Sequence, residues 1–227
     1  MMRMLRPWIP CAAASWLFVV SAGCGTKSDP YPAPPGYSYS YGNANAASIE
    51  FKDDAKTNAT PKEEDITELV FTSKDGEKIP LKNYLGERNL VLVITRGYAG
   101  SICPYCATQT SRLIANYSKI RDLNAEVIVV YPLEKPADQP NVEKFVSASV
   151  STLPAAEKKV PFPLLLDIEL KAVDSLGIRK SLSKPATYIF DKDGQVRFAY
   201  VGESLADRPS IKVILSELDR LNKSPGE

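Results

Sequence analysis

The sequence predicts a single α/β domain whose mixed β-sheet, parallel at its centre and antiparallel at its end, is flanked by helices. Residues 90–94 are all Leu, Val or Ile, as expected of a strand that is buried on both faces. A second apolar run at 127–131 follows a stretch with apolar residues at helical spacing. Strand, helix and strand within about 42 residues are typical of a parallel βαβ unit with a right-handed crossover.

The other elements follow from local patterns. Two short apolar runs, at 66–71 and 78–81, flank Lys-Asp-Gly and indicate a first hairpin. Asp193-Gly194 lies between two alternating apolar runs and indicates a second hairpin, near the end of the chain. Further elements are predicted as a strand at 164–166, helices at 142–150, 169–176 and 211–221, and hairpin strands at 187–191 and 195–201.

Composition excludes several classes of function. The 227 residues carry a formal net charge of +1, so there is no basic excess that would neutralise nucleic-acid phosphates. The chain has no His. This absence excludes catalytic triads that depend on His, Cys–His nucleophiles and His metal clusters. Cysteines, carboxylates, Lys, Arg, Tyr and the backbone are left to carry the chemistry.

Residues 1–23 are predicted to be a signal peptide. A short basic segment precedes a mostly apolar stretch from Trp8 to Val20, which is shorter than the ~20 residues that a spanning helix needs. Ser21-Ala22-Gly23-Cys24 resembles the lipobox of bacterial lipoproteins, in which the Cys becomes the lipid-modified N-terminus. We therefore expect a protein that is lipid-anchored at Cys24 to a bacterial membrane and extracytoplasmic, in the periplasm or cell envelope. Plain secretion and an uncleaved anchor are the alternatives.

Residues 24–62 are predicted to be a low-complexity linker, and residues 63–224 the α/β domain. Four Pro and four Tyr residues lie between Pro30 and Tyr41, and a mixed charged run follows further along. The segment has no apolar period of 2 or 3.6 residues with which to bury surface and offset its ordering entropy.

The candidate chemistry lies in Cys103-Pro104-Tyr105-Cys106, which follows the buried strand and opens a helix. Free N–H groups and the helix dipole at that position stabilise a thiolate at Cys103. Pro104 suits the first helical turn, and Cys106, one turn later, is placed to attack a disulfide that forms at Cys103. The pair is thus predicted to be a redox-active Cys103–Cys106 disulfide. No further Cys or His completes a zinc site in the mature chain, so no metal is expected.

This segment and others resemble the AhpC/TSA (alkyl hydroperoxide reductase / thiol-specific antioxidant) family of peroxiredoxin-like proteins, within the thioredoxin-fold superfamily. The resemblance is carried by the strand at 90–94, the loop and helix start from Arg96 to Gln109, Pro-Ala-Thr-Tyr-Ile-Phe-Asp-Lys-Asp-Gly at 185–194, and the segments 200–203 and 207–210. It implies a thioredoxin-like (peroxiredoxin-like) mixed sheet with flanking helices.

The resemblance also implies roles for individual residues. Peroxiredoxins carry Thr-x-x-Cys, whose Cys attacks peroxide, and an Arg near a later strand. Cys106 occupies the peroxide-attacking position, Cys103 the Thr position and Pro185 the Arg position. Both replacements favour the pattern of thiol–disulfide oxidoreductases, in which Pro185 would be cis and face the dithiol.

Supporting roles are predicted for four further residues. Arg96 and Lys184 carry positive charges that would lower the pKa of a nearby thiolate. Pro104 and Tyr105 would tune the redox potential as the intervening pair. Gln109, in contrast, is expected on the helix surface.

The sequence thus predicts an oxidoreductase that exchanges electrons with client disulfides through Cys103 and Cys106, and that contributes to cell redox homeostasis. It would need no dissociable cofactor, but an external thiol as electron donor. The first alternative is an antioxidant peroxidase that reduces hydroperoxides through Cys106. The second is a non-catalytic binding module of the cell envelope. The oligomeric state stays open.

Overall fold

A computed structural model describes residues 48–62 and 66–223 of the chain. The predicted signal peptide, the predicted lipid-attachment residue Cys24 and the predicted linker up to residue 47 lie outside the described residues. Within the described ranges, no helix is long and apolar enough to span a membrane.

The described residues contain nine strands and five α-helices. The strands are β1 (Val70–Thr72), β2 (Lys78–Pro80), β3 (Asn89–Ile94), β4 (Ala125–Leu133), β5 (Leu164–Ile168), β6 (Arg179–Lys180), β7 (Leu182–Ser183), β8 (Ala186–Phe190) and β9 (Val196–Val201). The helices are α1 (Pro104–Ala115), α2 (Tyr117–Asp122), α3 (Asn141–Val150), α4 (Lys171–Ser175) and α5 (Ile211–Lys223). Short 3-10 helices at 81–84, 136–138 and 155–157 complete the regular structure.

Seven of the strands form one mixed sheet in the order β2-β1-β5-β4-β3-β8-β9. β4 pairs in parallel with β3 and β5, and the outer pairs are antiparallel. β6 and β7 form a separate small hairpin. The predicted fold class is therefore confirmed, with antiparallel strands on both sides of the parallel centre.

The central strands are buried on both faces, which explains their continuous apolar sequences. On one face, Val91 and Val93 pack with side chains of α1, α3 and α5; on the other, Leu92 and Ile94 pack with Leu170 and others. Successive residues of a strand point to opposite faces, so each central strand contributes to both clusters. Cys103 and Cys106 belong to the first cluster.

Several boundaries differ from the patterns in the sequence. The helical stretch after the cysteines is broken at Asn116 into α1 and α2. The helix expected at 169–176 begins only at Lys171, because Glu169 and Leu170 have positive φ angles of 63° and 59°. The small β6–β7 hairpin is not indicated by the apolar pattern.

Residues 48–62, which we call the strap, differ from the predicted linker because they are bonded to the domain. The Asn58 side chain exchanges two hydrogen bonds with the backbone of Val201, its Nδ2 donating at 3.0 Å and its Oδ1 accepting at 2.8 Å. Lys52 N–H donates to Arg208 O, and Ser210 N–H donates to Lys52 O, both at 2.8 Å. The strap is attached by hydrogen bonds and by the burial of two separate apolar side chains, Ile49 and Ala55, rather than by a regular amphipathic pattern.

Candidate functional site

The two cysteines lie where the loop after β3 enters α1. Cys103 is the N-cap residue, with extended φ and ψ of −71° and 116°, and Pro104 is the first helical residue. Cys106 N–H donates to Cys103 Sγ at 3.4 Å. Both cysteines are free thiols in this structure, and their exposed fractions are only 1% and 0%.

The loop that leads to the cysteines is fixed on β4. Thr95 donates from its N–H and its hydroxyl to Val130 O, each at 3.0 Å, and Tyr98 N–H donates to Pro132 O at 3.2 Å. Gly97 permits this approach: its φ is +89°, and a Cβ there would lie 2.2 Å from Pro132 O. The loop therefore has a defined path over the end of β4.

Two N–H donors point at the sulfur of Cys106. The backbone N–H of Arg96 lies 3.4 Å from Cys106 Sγ, and Nη2 of Arg208 lies 3.2 Å from it. Cys103 Sγ accepts from a single backbone N–H. The hydrogen-bond donors thus favour the negative charge on Cys106 rather than on Cys103.

Arg208 is a buried cation whose side chain is held by uncharged acceptors. It is 1% exposed, its Nε donates to Leu205 O at 2.8 Å, and its Nη1 donates to Oε1 of Gln109. Among the described residues, no carboxylate forms an ion pair with it. A buried charge needs a charged partner, and the Cys106 thiolate is the group in contact that can supply one.

The pKa of Cys106 follows from this arrangement. Burial raises it, but the hydrogen bond from the Cys103 thiol, the charge of Arg208 and the Arg96 N–H outweigh burial and lower it to about 6. The hydrogen bond with Cys106 and burial raise the pKa of Cys103. This differs from the expectation that the helix N-terminus would make Cys103 the thiolate.

The predicted supporting residues have different positions. Arg96 is buried, and the contact it makes with the thiols is through its backbone N–H. Lys184 pairs with the carboxylate of Glu203 at 2.9 Å rather than with a thiol. Tyr105, in the first turn of α1, packs partly buried against the apolar cluster that contains both cysteines.

Pro185 lies near the start of the cysteine loop. Its neighbour Ala186 pairs with Ile94, so the antiparallel register places Pro185 opposite Thr95. Its carbonyl accepts from Gly202 N–H at 2.8 Å. The role of Pro185 towards the dithiol stays a prediction.

Sequence reasoning missed two residues of the site. Arg208 is 102 positions from Cys106, and only the fold brings them together. Gln109 was expected on the helix surface, but this is wrong: it is 3% exposed and bonded to Arg208. The segment 207–210, part of the family resemblance, is the signal that would have suggested Arg208.

The described part of the chain contains no cluster of three or more Cys, His, Asp or Glu side chains that could hold a metal ion. The site consists of two sulfurs, one buried guanidinium, an amide and backbone N–H groups. This set can stabilise a thiolate and form a disulfide.

Comparisons with known proteins agree on the fold. The model of the AhpC/TSA family matches residues 63–199. A search of curated proteins finds no match. Peroxidoxin BcpB from Mycobacterium tuberculosis is 17% identical to this chain. The alignment covers 73% of this chain and 97% of BcpB, with a TM-score of 0.52. The mitochondrial 2-Cys peroxiredoxin of Plasmodium falciparum is 16% identical to this chain. The alignment covers 76% of this chain and 97% of the peroxiredoxin, with a TM-score of 0.52.

A third similar structure is described as a secreted disulfide oxidoreductase of Mycobacterium tuberculosis homologous to E. coli DsbE. It is 15% identical, with 70% of this chain and 98% of that chain covered and a TM-score of 0.51. At these identities the three structures establish the thioredoxin-like fold.

Proposed function

Because the chain belongs to the AhpC/TSA family, we propose that it is a thiol oxidoreductase in which Cys106 reduces a small hydroperoxide and Cys103 then closes a disulfide. Family membership supports an oxidoreductase that works through thiols. The choice of Cys106 as the nucleophile reverses the order that the sequence favoured.

The observation that carries this proposal is the buried contact between Arg208 and Cys106. A guanidinium with 1% exposure donates to Cys106 Sγ at 3.2 Å and has no carboxylate partner among the described residues. It therefore stabilises the ionised thiol, which is the nucleophilic form. At neutral pH a thiol with a pKa of about 6 is mostly ionised.

Burial favours a small oxidant. Neither sulfur is more than 1% exposed, so the disulfide of a folded protein would have to displace the cysteine loop before its sulfur could reach Cys106. A hydroperoxide needs only a narrow opening. The partly exposed side chains of Tyr98, Ile102 and Tyr105 pack against the cluster that contains both sulfurs.

The chemistry balances with the groups present and two external reactants. The Cys106 thiolate attacks one peroxide oxygen, the O–O bond breaks, and the leaving alkoxide takes a proton from water to become an alcohol. Cys106 is then a sulfenic acid, oxidised by two electrons. The Cys103 thiol attacks its sulfur, which forms the disulfide and releases water. An external dithiol returns the two electrons by thiol–disulfide exchange.

Trapping the thiols tests this proposal. The prereduced full-length chain is mixed with equimolar hydrogen peroxide or with a disulfide-bonded peptide, and free thiols are alkylated and followed site by site by mass spectrometry. We expect peroxide to oxidise both cysteines in the wild type and to stop at a Cys106 sulfenic acid in Cys103→Ser. The Cys106→Ser variant should be unreactive.

A second candidate is disulfide exchange through Cys103, as the sequence predicted. It is favoured by the position of Cys103 at the N-cap of α1 and by Pro185 opposite Thr95. Rapid loss of thiols with the peptide alone, through an adduct at Cys103, would establish it and overturn the peroxidase. Slow reaction with both oxidants would leave the non-catalytic binding module.

We also propose that the protein is anchored by lipid at Cys24 and acts outside the cytoplasm. The support is the basic and apolar segment before Ser21-Ala22-Gly23-Cys24. Metabolic labelling with a fatty acid should mark the wild-type chain and leave Cys24→Ser unlabelled. Equal labelling of both would contradict this assignment.

A further inference from the structure

Gln109 contacts Arg208 through its side-chain amide, and the hydrogen-bonding groups of arginine determine which way that amide is oriented. Gln109 lies one turn after Cys106 on α1, and its Oε1 accepts from Nη1 of Arg208, while Nη2 of the same guanidinium donates to Cys106. Arginine has only donors, so the amide must turn its oxygen towards Arg208 and its nitrogen away. That nitrogen, Nε2, is buried and has no hydrogen-bond partner among the described residues.

If Gln109 had only a structural role, we would not expect its buried Nε2 to lack a hydrogen-bond partner among the described residues. A buried donor without a partner destabilises the fold. A glutamate of nearly the same shape would lack that donor and would form a buried ion pair with Arg208. It would also place a negative charge beside Cys106 and offset the positive charge that favours the thiolate. Glutamine holds the guanidinium and leaves its charge intact.

We propose that Gln109 is a positioning residue that fixes the Arg208 guanidinium on Cys106 without neutralising it. The inference rests on the proposed function, because it takes the Cys106 thiolate as the reacting group. The titratable and charged side chains around Cys106 are Cys103 at the start of α1, Tyr131 on β4 and Arg208 before α5, whereas Arg96 contributes its backbone N–H. Gln109 contacts Arg208, the cation whose side chain touches the sulfur.

The substitution Gln109→Glu tests this inference because stability and reactivity should move in opposite directions. The melting temperature should stay the same or rise, since the unpaired donor disappears and an ion pair forms. The pH midpoint of Cys106 alkylation, followed by site-resolved mass spectrometry in the full-length chain, should rise by about one to two units. At pH 6 the alkylation rate should fall about five- to fifty-fold, because the thiolate fraction falls by that factor.

Two further variants provide a matched control and a second test of the contact between Gln109 and Arg208. Thr110→Val is the matched control, because Thr110 is the next residue and its buried Oγ1 also lacks a partner among the described residues; it should leave the midpoint unchanged. Gln109→Met removes the acceptor and should both lower the melting temperature and raise the midpoint, since Arg208 is released.

The outcomes separate this inference from the proposed function. A wild-type midpoint near 6 that neither Gln109→Glu nor Gln109→Met changes would overturn the role of Gln109 alone. A wild-type Cys106 midpoint near the ordinary thiol value would contradict the thiolate assignment, and with it the proposed function.

Discussion

At the scale of single residues, the charge on Cys106 depends on a side chain from a distant part of the chain. The helix N-terminus favours an anion at Cys103, but the hydrogen bond from the Cys103 thiol and a buried guanidinium in direct contact with the other sulfur lower the pKa of Cys106 instead. Arg208 provides that contact at 3.2 Å. Position in the helix is therefore a weaker guide to the nucleophile than the donors that each sulfur accepts.

Replacing Arg208 with Met should raise the pKa of Cys106 towards its ordinary value of 9.0. The thiolate fraction at pH 7 would fall, so hydroperoxide consumption should slow roughly tenfold to a hundredfold. The deficit should shrink as the pH approaches 9, where the variant thiol ionises. Arg121→Met, on α2 and paired with Glu126, is the matched control and should react at the wild-type rate. A deficit that is the same at both pH values would contradict this explanation.

Cys106 should also make the stability of the fold depend on pH between about 6 and 9. The chain has no His whose titration would contribute in this range. A thiol whose pKa is lowered from 9.0 to about 6 on folding contributes stability that is present above the unfolded pKa and lost as the pH falls to the folded one. The melting temperature of the wild type relative to Cys106→Ser should thus decline from pH 9 to pH 6 and then level off. A difference that is constant over this range would show that the thiol is not ionised in the fold.

At the scale of elements, the loop before α1 depends on one glycine more than on another. Gly97 and Gly100 both have positive φ, +89° and +80°, but a Cβ at Gly97 would meet Pro132 O, whereas a Cβ at Gly100 would meet nothing within 4 Å. Both alanine variants incur backbone strain of about 1–2 kcal/mol. Chemical denaturation should show Gly97→Ala to be at least about 2 kcal/mol less stable than Gly100→Ala. Equal losses would mean that the loop does not pack on β4 as described.

The strap makes a second prediction at this scale. Asn58→Ala removes two hydrogen bonds to Val201 and should destabilise the protein by about 1–3 kcal/mol. Hydrogen exchange of residues 48–62 should become faster. Lys56→Ala, an exposed change in the same segment, should affect neither measurement. Unchanged exchange in Asn58→Ala would contradict the attachment of the strap to β9.

The elements also show what the sequence could reveal. β3 and β4 were predicted because strands that are buried on both faces have continuous apolar sequences. The attachment of the strap was missed because it consists of hydrogen bonds to strand and loop backbone and of two separate buried side chains, Ile49 and Ala55, which leave no sustained apolar period. The break at Asn116 and the left-handed residues Glu169 and Leu170 depend on backbone angles that apolar spacing does not report.

At the scale of the whole molecule, the sheet brings distant segments to one site. β3 leads to the cysteine loop, β4 supports that loop, and β9 leads to the segment with Arg208, whose carbonyl is bonded to the strap. The CxxC pair was predictable because its four residues are local. The cation that selects between its two sulfurs was not, because its position depends on the complete sheet order.

The central claim is that Cys106, paired with Arg208, is the thiolate of the reduced protein. Site-resolved alkylation of the reduced wild-type chain across pH, read by mass spectrometry, tests it most directly. Each cysteine is judged by the midpoint of its own profile rather than by its absolute rate, because both are buried. We expect Cys106 to have a midpoint of about 6 and Cys103 to become reactive only at much higher pH. A lower midpoint at Cys103 than at Cys106 would contradict the account.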